Sequence, residues 1–120
     1  MMDTEAEIKK EKRRLTALFR GVPEGKKKLT AGLIDEAAFM SVTLRQLREA
    51  INTDGPIVYG TNGNGFEIKQ EHPAQKSYNV MISRYTSVIK ALADLLPGSK
   101  EDTVRKAGEA LAAFVAAGKP

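Results

Sequence analysis

Few residues of this chain are equipped for chemistry. His72 is the only histidine, and there is no cysteine. An imidazole can act as a general base, but it needs a nucleophile or a carboxylate partner in a pocket. Here it stands in the polar run Gln70-Glu71-His72-Pro73, just before a proline suited to open a helix, and it reads as a solvated loop residue. The lack of cysteine excludes disulfides, thiolate metal sites and cysteine nucleophiles. Carboxylates adjoin at Asp35-Glu36 and Glu101-Asp102. Adjacent helical positions do not share a face, so neither pair is an acid–base dyad or a metal clamp on its own. The first pair reads as surface and the second as the acidic first turn of a helix. The segment Gly60-Thr61-Asn62-Gly63-Asn64-Gly65 lacks the Gly-Lys-Ser/Thr ending of a phosphate loop and the G-x-G-x-x-G dinucleotide spacing. Its residues are those a tight hairpin turn requires. The chain reads as one without a catalytic centre, a metal or a cofactor.

The remaining chemistry is charge. Residues 1–28 hold nine bases (Lys9, Lys10, Lys12, Arg13, Arg14, Arg20, Lys26, Lys27, Lys28) against five acids, while residues 29–120 hold ten of each. The whole formal excess of +4 sits in the first quarter. Such asymmetry raises the prospect of a polyanionic partner, but +4 is modest beside nucleic-acid binders, and by itself the charge reads first as a solvated helix face. Some of these bases have local partners: Glu5–Lys9 has i,i+4 spacing and Glu11–Arg14 has i,i+3. The others could touch phosphates, which gives salt-dependent, sequence-blind affinity.

These residues must be positioned by helices. A first helix is expected over residues 4–20, with Thr4 and Glu7 as a capping box, sparse apolar positions at Ile8, Leu15, Leu18 and Phe19, and Gly21 just past its end. Pro23 suits the first turn of a second helix reaching residue 52. Its seam, Leu29, Leu33, Ala37, Met40, Leu44, Leu47 and Ile51, steps by three and four. A helix of about 29 residues is about 43 Å long, too long to be buried in a globule of this size. It must belong to an elongated bundle or an assembly. Gly32 within it suggests a close crossing.

Asn52, Asp54, Gly55 and Pro56 break the pattern. Strand formers then flank the Gly60–Gly65 turn and predict a short β-hairpin. An isolated hairpin is marginal in water, so Tyr59 and Phe66 should pack on the helices or on a neighbouring subunit. Pro73 opens a third helix ending near residue 96, with Tyr78, Met81, Ile82, Tyr85, Val88, Ile89, Leu92, Leu95 and Leu96 as a broad apolar stripe. Ser99 and Asp102 cap a fourth helix to about residue 117, with the stripe Val104, Ala107, Leu111, Phe114 and Val115, and with Gly108 allowing close approach. Leu33, Met40, Leu44, Leu47, Tyr59, Phe66, Tyr78, Met81, Tyr85, Ile89 and Leu92 are the expected core or oligomer interface.

The fold class is therefore mainly α: an elongated helical bundle built on a long antiparallel helical hairpin, with one short β-hairpin. The chain reads as a single domain over 1–120, with a basic helix and loop over 1–28, the long hairpin over 29–97 and a last helix over 98–120. No apolar run approaches the roughly 20 residues of a membrane span, and the charged N-terminus lacks the apolar core of a secretory signal.

Three segments together carry a family likeness. They are Leu33-Ile34-Asp35-Glu36-Ala37-Ala38-Phe39-Met40 with Leu44 and Leu47-Arg48, the turn Asn62-Gly63-Asn64, and Tyr78-Asn79-Val80-Met81-Ile82-Ser83-Arg84-Tyr85 leading to Leu92-Ala93-Asp94-Leu95-Leu96-Pro97. Over roughly residues 11–97 the chain resembles short tailed-phage proteins assigned to the terminase small subunit. The resemblance implies a non-catalytic ring-forming homo-oligomer in the host cytoplasm. Such a protein binds double-stranded viral DNA and recruits or regulates the large terminase subunit. Many members carry an N-terminal helix-turn-helix, whereas this sequence offers one helix and a basic loop. The alternative reading is a helical adaptor or scaffold of phage assembly or host interaction that binds no DNA.

Overall fold

The computed structural model describes residues 3–117; the outermost residues of the basic 1–28 segment and of the 98–120 segment lie outside them. Four helices, α1 (Thr4–Leu18), α2 (Lys27–Asp54), α3 (Pro73–Asp94) and α4 (Lys100–Ala117), are joined by a 3₁₀ turn at Glu24–Lys26 and by an antiparallel hairpin of β1 (Ile57–Thr61) and β2 (Glu67–Glu71). The principal extents are 59 × 28 × 25 Å. The radius of gyration is 17.4 Å, against about 14 Å for a compact domain of this length. The elongation expected from the second helix is present: α2 runs 28 residues.

Cross-helix bonds fix the topology. Gln46 Nε2 donates to Thr4 Oγ1 and Arg45 pairs with Glu7, while Lys12 reaches Asp35, so α1 lies antiparallel to α2. His72 meets Asp54 and Arg48 meets Tyr78, so α3 folds back along α2. Arg14 donates to the Ala110 carbonyl, which sets α4 beside α1. One core joins all four helices and includes Leu15, Phe19, Ala37, Leu44, Tyr85, Ile89, Leu92 and Phe114. Tyr85 and Phe114 stack at 5.2 Å with their rings tilted by 50°, a favourable aromatic geometry. The Arg48 guanidinium lies 5.6 Å from the Tyr78 ring and 5.2 Å from the Phe114 ring.

Local sequence accounts for most boundaries. Ser99 and Asp102 form a reciprocal capping box: Asp102 N donates to Ser99 Oγ and Ser99 N to Asp102 Oδ2. Hydrogen bonding of the carboxylate by the Ser99 side chain and backbone, with Arg105 nearby, holds Asp102 below its usual range. At the start of α1, Asp3 caps rather than Thr4, because its carboxylate accepts from Ala6 N. Thr4, one step further on, is helical and bonds α2 instead. Gly21 does not end α1 in a left-handed turn; Phe19 closes the helix through Leu15 O, and the positive-φ glycines of the described residues are Gly55, Gly65 and Gly98. Gly55 needs that freedom, since at φ 82° it ends α2 by bonding Ile51 O.

Several packing expectations change. Leu29 is exposed at the start of α2, while Ile34, Ala38, Ser41 and Val42 are buried in addition to the expected seam. Helix α2 is covered on two sides, by α1 and α3, so its buried face is wider than one stripe. A Cβ at Gly32 or Gly108 would meet open space, so neither marks a close crossing. The buried face of α4 runs through Ala110 and Phe114, with Ala107 and Leu111 half-buried, whereas Val104 and Val115 face outward. Packing of α4 against both α1 and α3 rotates the stripe away from those two valines.

Candidate nucleic-acid interface

The geometry of α1 separates its charges. Glu11 points inward: its carboxylate accepts from Arg14 through both oxygens and from Ser41 Oγ at 2.8 Å. Burial pushes the Glu11 carboxyl up, but the Arg14 bonds and charge, with Ser41 and Arg45, overcome this and hold it below the usual carboxylate range. Glu7 turns to Arg45 on α2. With these two acids drawn towards the bundle, the outer face of α1 keeps its bases, with Glu5 as the exposed acid at its start. Lys9, Lys10, Arg13 and Arg20 are exposed and make no ion pair among the described residues. Lys9, Lys10 and Arg13 share one face of α1, and Arg20 lies two residues past its end.

The other expected bases fall into two groups. Arg14 is half-buried between Glu11 and Ala110 O, so its role is in the fold. Lys12 bonds Asp35 at 2.9 Å, with both side chains largely in water, an arrangement worth little and easily exchanged. Lys26, Lys27 and Lys28 are exposed at the start of α2, where no acid occupies the first turn and no side chain caps it. Cations at a helix N-terminus oppose the backbone dipole. This end therefore carries a concentrated positive field, beside Arg20 at the end of α1.

The expected interface residues divide as well. Met40, Leu44, Tyr85, Ile89 and Leu92 are buried, and Leu33, Leu47, Tyr78 and Met81 are half-buried. Tyr59 and Phe66 remain 66% and 69% exposed and do not pack on the helices. The hairpin projects from the bundle and is held by its own bonds. Asn62 Oδ1 accepts from Asn64 N and Phe66 N, and Gly65 takes the left-handed conformation that the turn needs. On the α2–α3 face, an open groove of about 880 Å³ is lined by Phe39, Met40, Val80, Met81 and Val88, with Glu36, Lys76 and Arg84 among its polar residues. Phe39 and Val80 are about half exposed there.

His72 is not a free loop residue. Its Nδ1 accepts from Ala74 N at 3.0 Å, capping α3, and its Nε2 lies 2.9 Å from Asp54 Oδ2 at the end of α2. Both bonds are met by the tautomer that carries its proton on Nε2. The inward roles of Ser41, Arg45 and Arg48 go beyond the expected seam. Their spacing along α2, in register with Ala37 and Leu44, is the signal that carries them, because it places polar side chains at seam positions.

Among the described residues no cluster of three or more His, Asp or Glu side chains is placed to hold a metal, and no helix is long and apolar enough to cross a membrane. Comparison with protein-family models, curated proteins and solved structures finds no match.

Proposed function

We propose that this chain is an oligomeric DNA-binding factor of phage genome packaging, resembling the terminase small subunit and acting without chemistry of its own. The observation that carries the reading is the sorting of charge on α1. Its acids at positions 7 and 11 are spent on Arg45, Arg14 and Ser41, its bases at 9, 10 and 13 are left in water with Glu5 as the exposed acid beside them, and Arg20 is exposed just past its end. Cations without ion-pair partners on one face of α1, continued by Arg20 just past its end, suit the phosphates of a duplex. The lysines at the start of α2 extend the same surface.

Self-association is the second part of the reading. The exposed Phe39–Val80 groove and the unpacked Tyr59 and Phe66 are apolar surfaces that a second copy would cover. In this account the oligomer presents several basic ridges to one duplex and docks the large terminase subunit. The groove equally suits an adaptor that takes a partner helix and binds no DNA. Gel retardation of duplex DNA at low salt separates the two: the packaging reading expects a shifted complex, and an unshifted duplex at high protein concentration removes it.

A further inference from the structure

We propose that α4 completes the DNA-facing surface, with Arg105 and Lys106 contacting duplex phosphates across a cleft from Arg20. This rests on the DNA reading above and extends it to a helix that charge balance alone gives no role, since residues 29–120 are neutral overall.

The cleft lies between the end of α1 and the start of α4 and measures about 380 Å³. Arg20, Arg105 and Lys106 line it together with Gly21, Leu96 and Asp102. Three cations thus face one carboxylate, and that carboxylate already accepts the Ser99 backbone bond of the capping box. Arg20 has no ion-pair partner among the described residues. The two α4 cations have loose ones. Arg105 lies 3.6 Å from Asp102 and 3.3 Å from Glu109, and Lys106 lies 3.8 Å from Glu109. The Arg105 pairs are exposed and the Lys106 pair partly so, and pairs this open to water are weak. A phosphate, bound by charge-assisted hydrogen bonds, competes well with such partners. The fold also aligns the cleft with the rest of the surface. Because α1 and α4 run side by side, bonded at Arg14–Ala110, the cleft continues the surface of Lys10, Arg13 and Arg20 towards the bundle end that holds Lys26–Lys28.

The test is an anisotropy titration of a fluorescent duplex with the full chain at several salt concentrations. Each lost phosphate contact lowers the log K against log salt slope by about 0.9. Arg105→Ala with Lys106→Ala should therefore flatten the slope by about 2 and weaken binding roughly tenfold. Glu109→Gln, which retains both cations and removes the carboxylate they share, should tighten binding by a few-fold, and it decides the matter if the double variant loses helical content by circular dichroism. The proposal is overturned if the double variant, folded, binds with unchanged affinity and slope while Lys9→Ala, Lys10→Ala, Arg13→Ala loses binding. In that case the DNA reading stands and α4 lies outside the surface. If the unmodified chain does not bind duplex at low salt, the DNA reading fails and this proposal fails with it.

Discussion

The Ser41 hydroxyl of α2 donates a 2.8 Å hydrogen bond to Glu11 Oε2 of α1, and both side chains are buried. This bond, with the Arg14 fork on the same carboxylate, makes a charged group part of the bundle's interior. Removing one partner of a buried ion pair leaves the other uncompensated. Glu11→Ala should destabilise the fold by about 3 kcal/mol, and Ser41→Ala by about 1–2 kcal/mol. The midpoint of urea denaturation measures both. A Glu11→Ala cost under 0.5 kcal/mol would show that the carboxylate is solvated.

Two buried groups make stability depend on pH in opposite ranges. Glu11 has a folded-state pKa below its unfolded value. It contributes stability above the unfolded pKa, and that contribution is lost as pH falls through the folded one. Tyr85 is the reverse case. Burial first, then the Glu11 charge, push its phenol up to about 12, against the opposing effects of Arg14, Ser41 and Arg45. Its contribution is complete below the unfolded pKa of 10.0 and declines as pH rises towards 12, by about 3 kcal/mol over the two units. Tyr85→Phe should abolish that alkaline loss. At neutral pH it should change stability by less than about 1 kcal/mol, because the buried hydroxyl has no hydrogen-bond partner among the described residues. Denaturation midpoints across pH 7–12 check both statements.

His72 ties the root of the hairpin. It caps α3 and reaches Asp54 on α2. His72→Ala should cost about 1 kcal/mol, typical of a lost N-cap, and His72→Asn should recover part of it. Amide hydrogen exchange at residues 57–71 should accelerate in the alanine variant. Unchanged exchange would mean that the hairpin is held by its own turn alone.

The exposed aromatics predict a separation of stability from assembly. Tyr59→Ser with Phe66→Ser should leave the unfolding midpoint of the isolated chain nearly unchanged, because both side chains are largely in water. If the chain self-associates as proposed, the same pair, or Phe39→Glu in the groove, should lower the mass in light scattering, and a monomeric unmodified chain would remove the assembly reading. An unaltered oligomer in both variants would place the contact elsewhere.

Helix periodicity alone makes most of the architecture legible. The seam through Ala37, Met40 and Leu44, the stripe through Tyr85, Ile89 and Leu92, and the Ser99–Asp102 cap all stand where spacing puts them. The misreadings share a cause. A single helix seen alone has one apolar face, whereas α2 and α4 each pack against two neighbours. This buries Ala110 and Ser41, turns Val104 outward and brings Arg48 under Phe114. The Glu11–Arg14 pair was visible as i,i+3 spacing, but only the approach of α2 and α4 converts it from surface decoration into a core contact. The candidate site was legible as charge and not as geometry. Nothing in the spacing distinguishes Arg14, committed to the fold, from Arg13, free in water. For that reason charge-reversal tests belong at Lys9, Lys10, Arg13 and Arg20, where loss of binding is not confounded by loss of the buried pair.

The salt dependence of duplex DNA binding tests the central claim most directly. Seven exposed cations without ion-pair partners among the described residues, Lys9, Lys10, Arg13, Arg20, Lys26, Lys27 and Lys28, set an upper slope near −6 per chain from these residues alone, with about 0.9 for each phosphate neutralised. The account predicts tight binding at 50 mM salt, a log–log slope steeper than about −3, and loss of most of that slope in Lys9→Ala, Lys10→Ala, Arg13→Ala, Arg20→Ala. An anisotropy titration that finds no binding at 50 mM salt, or binding indifferent to those four substitutions, would contradict it.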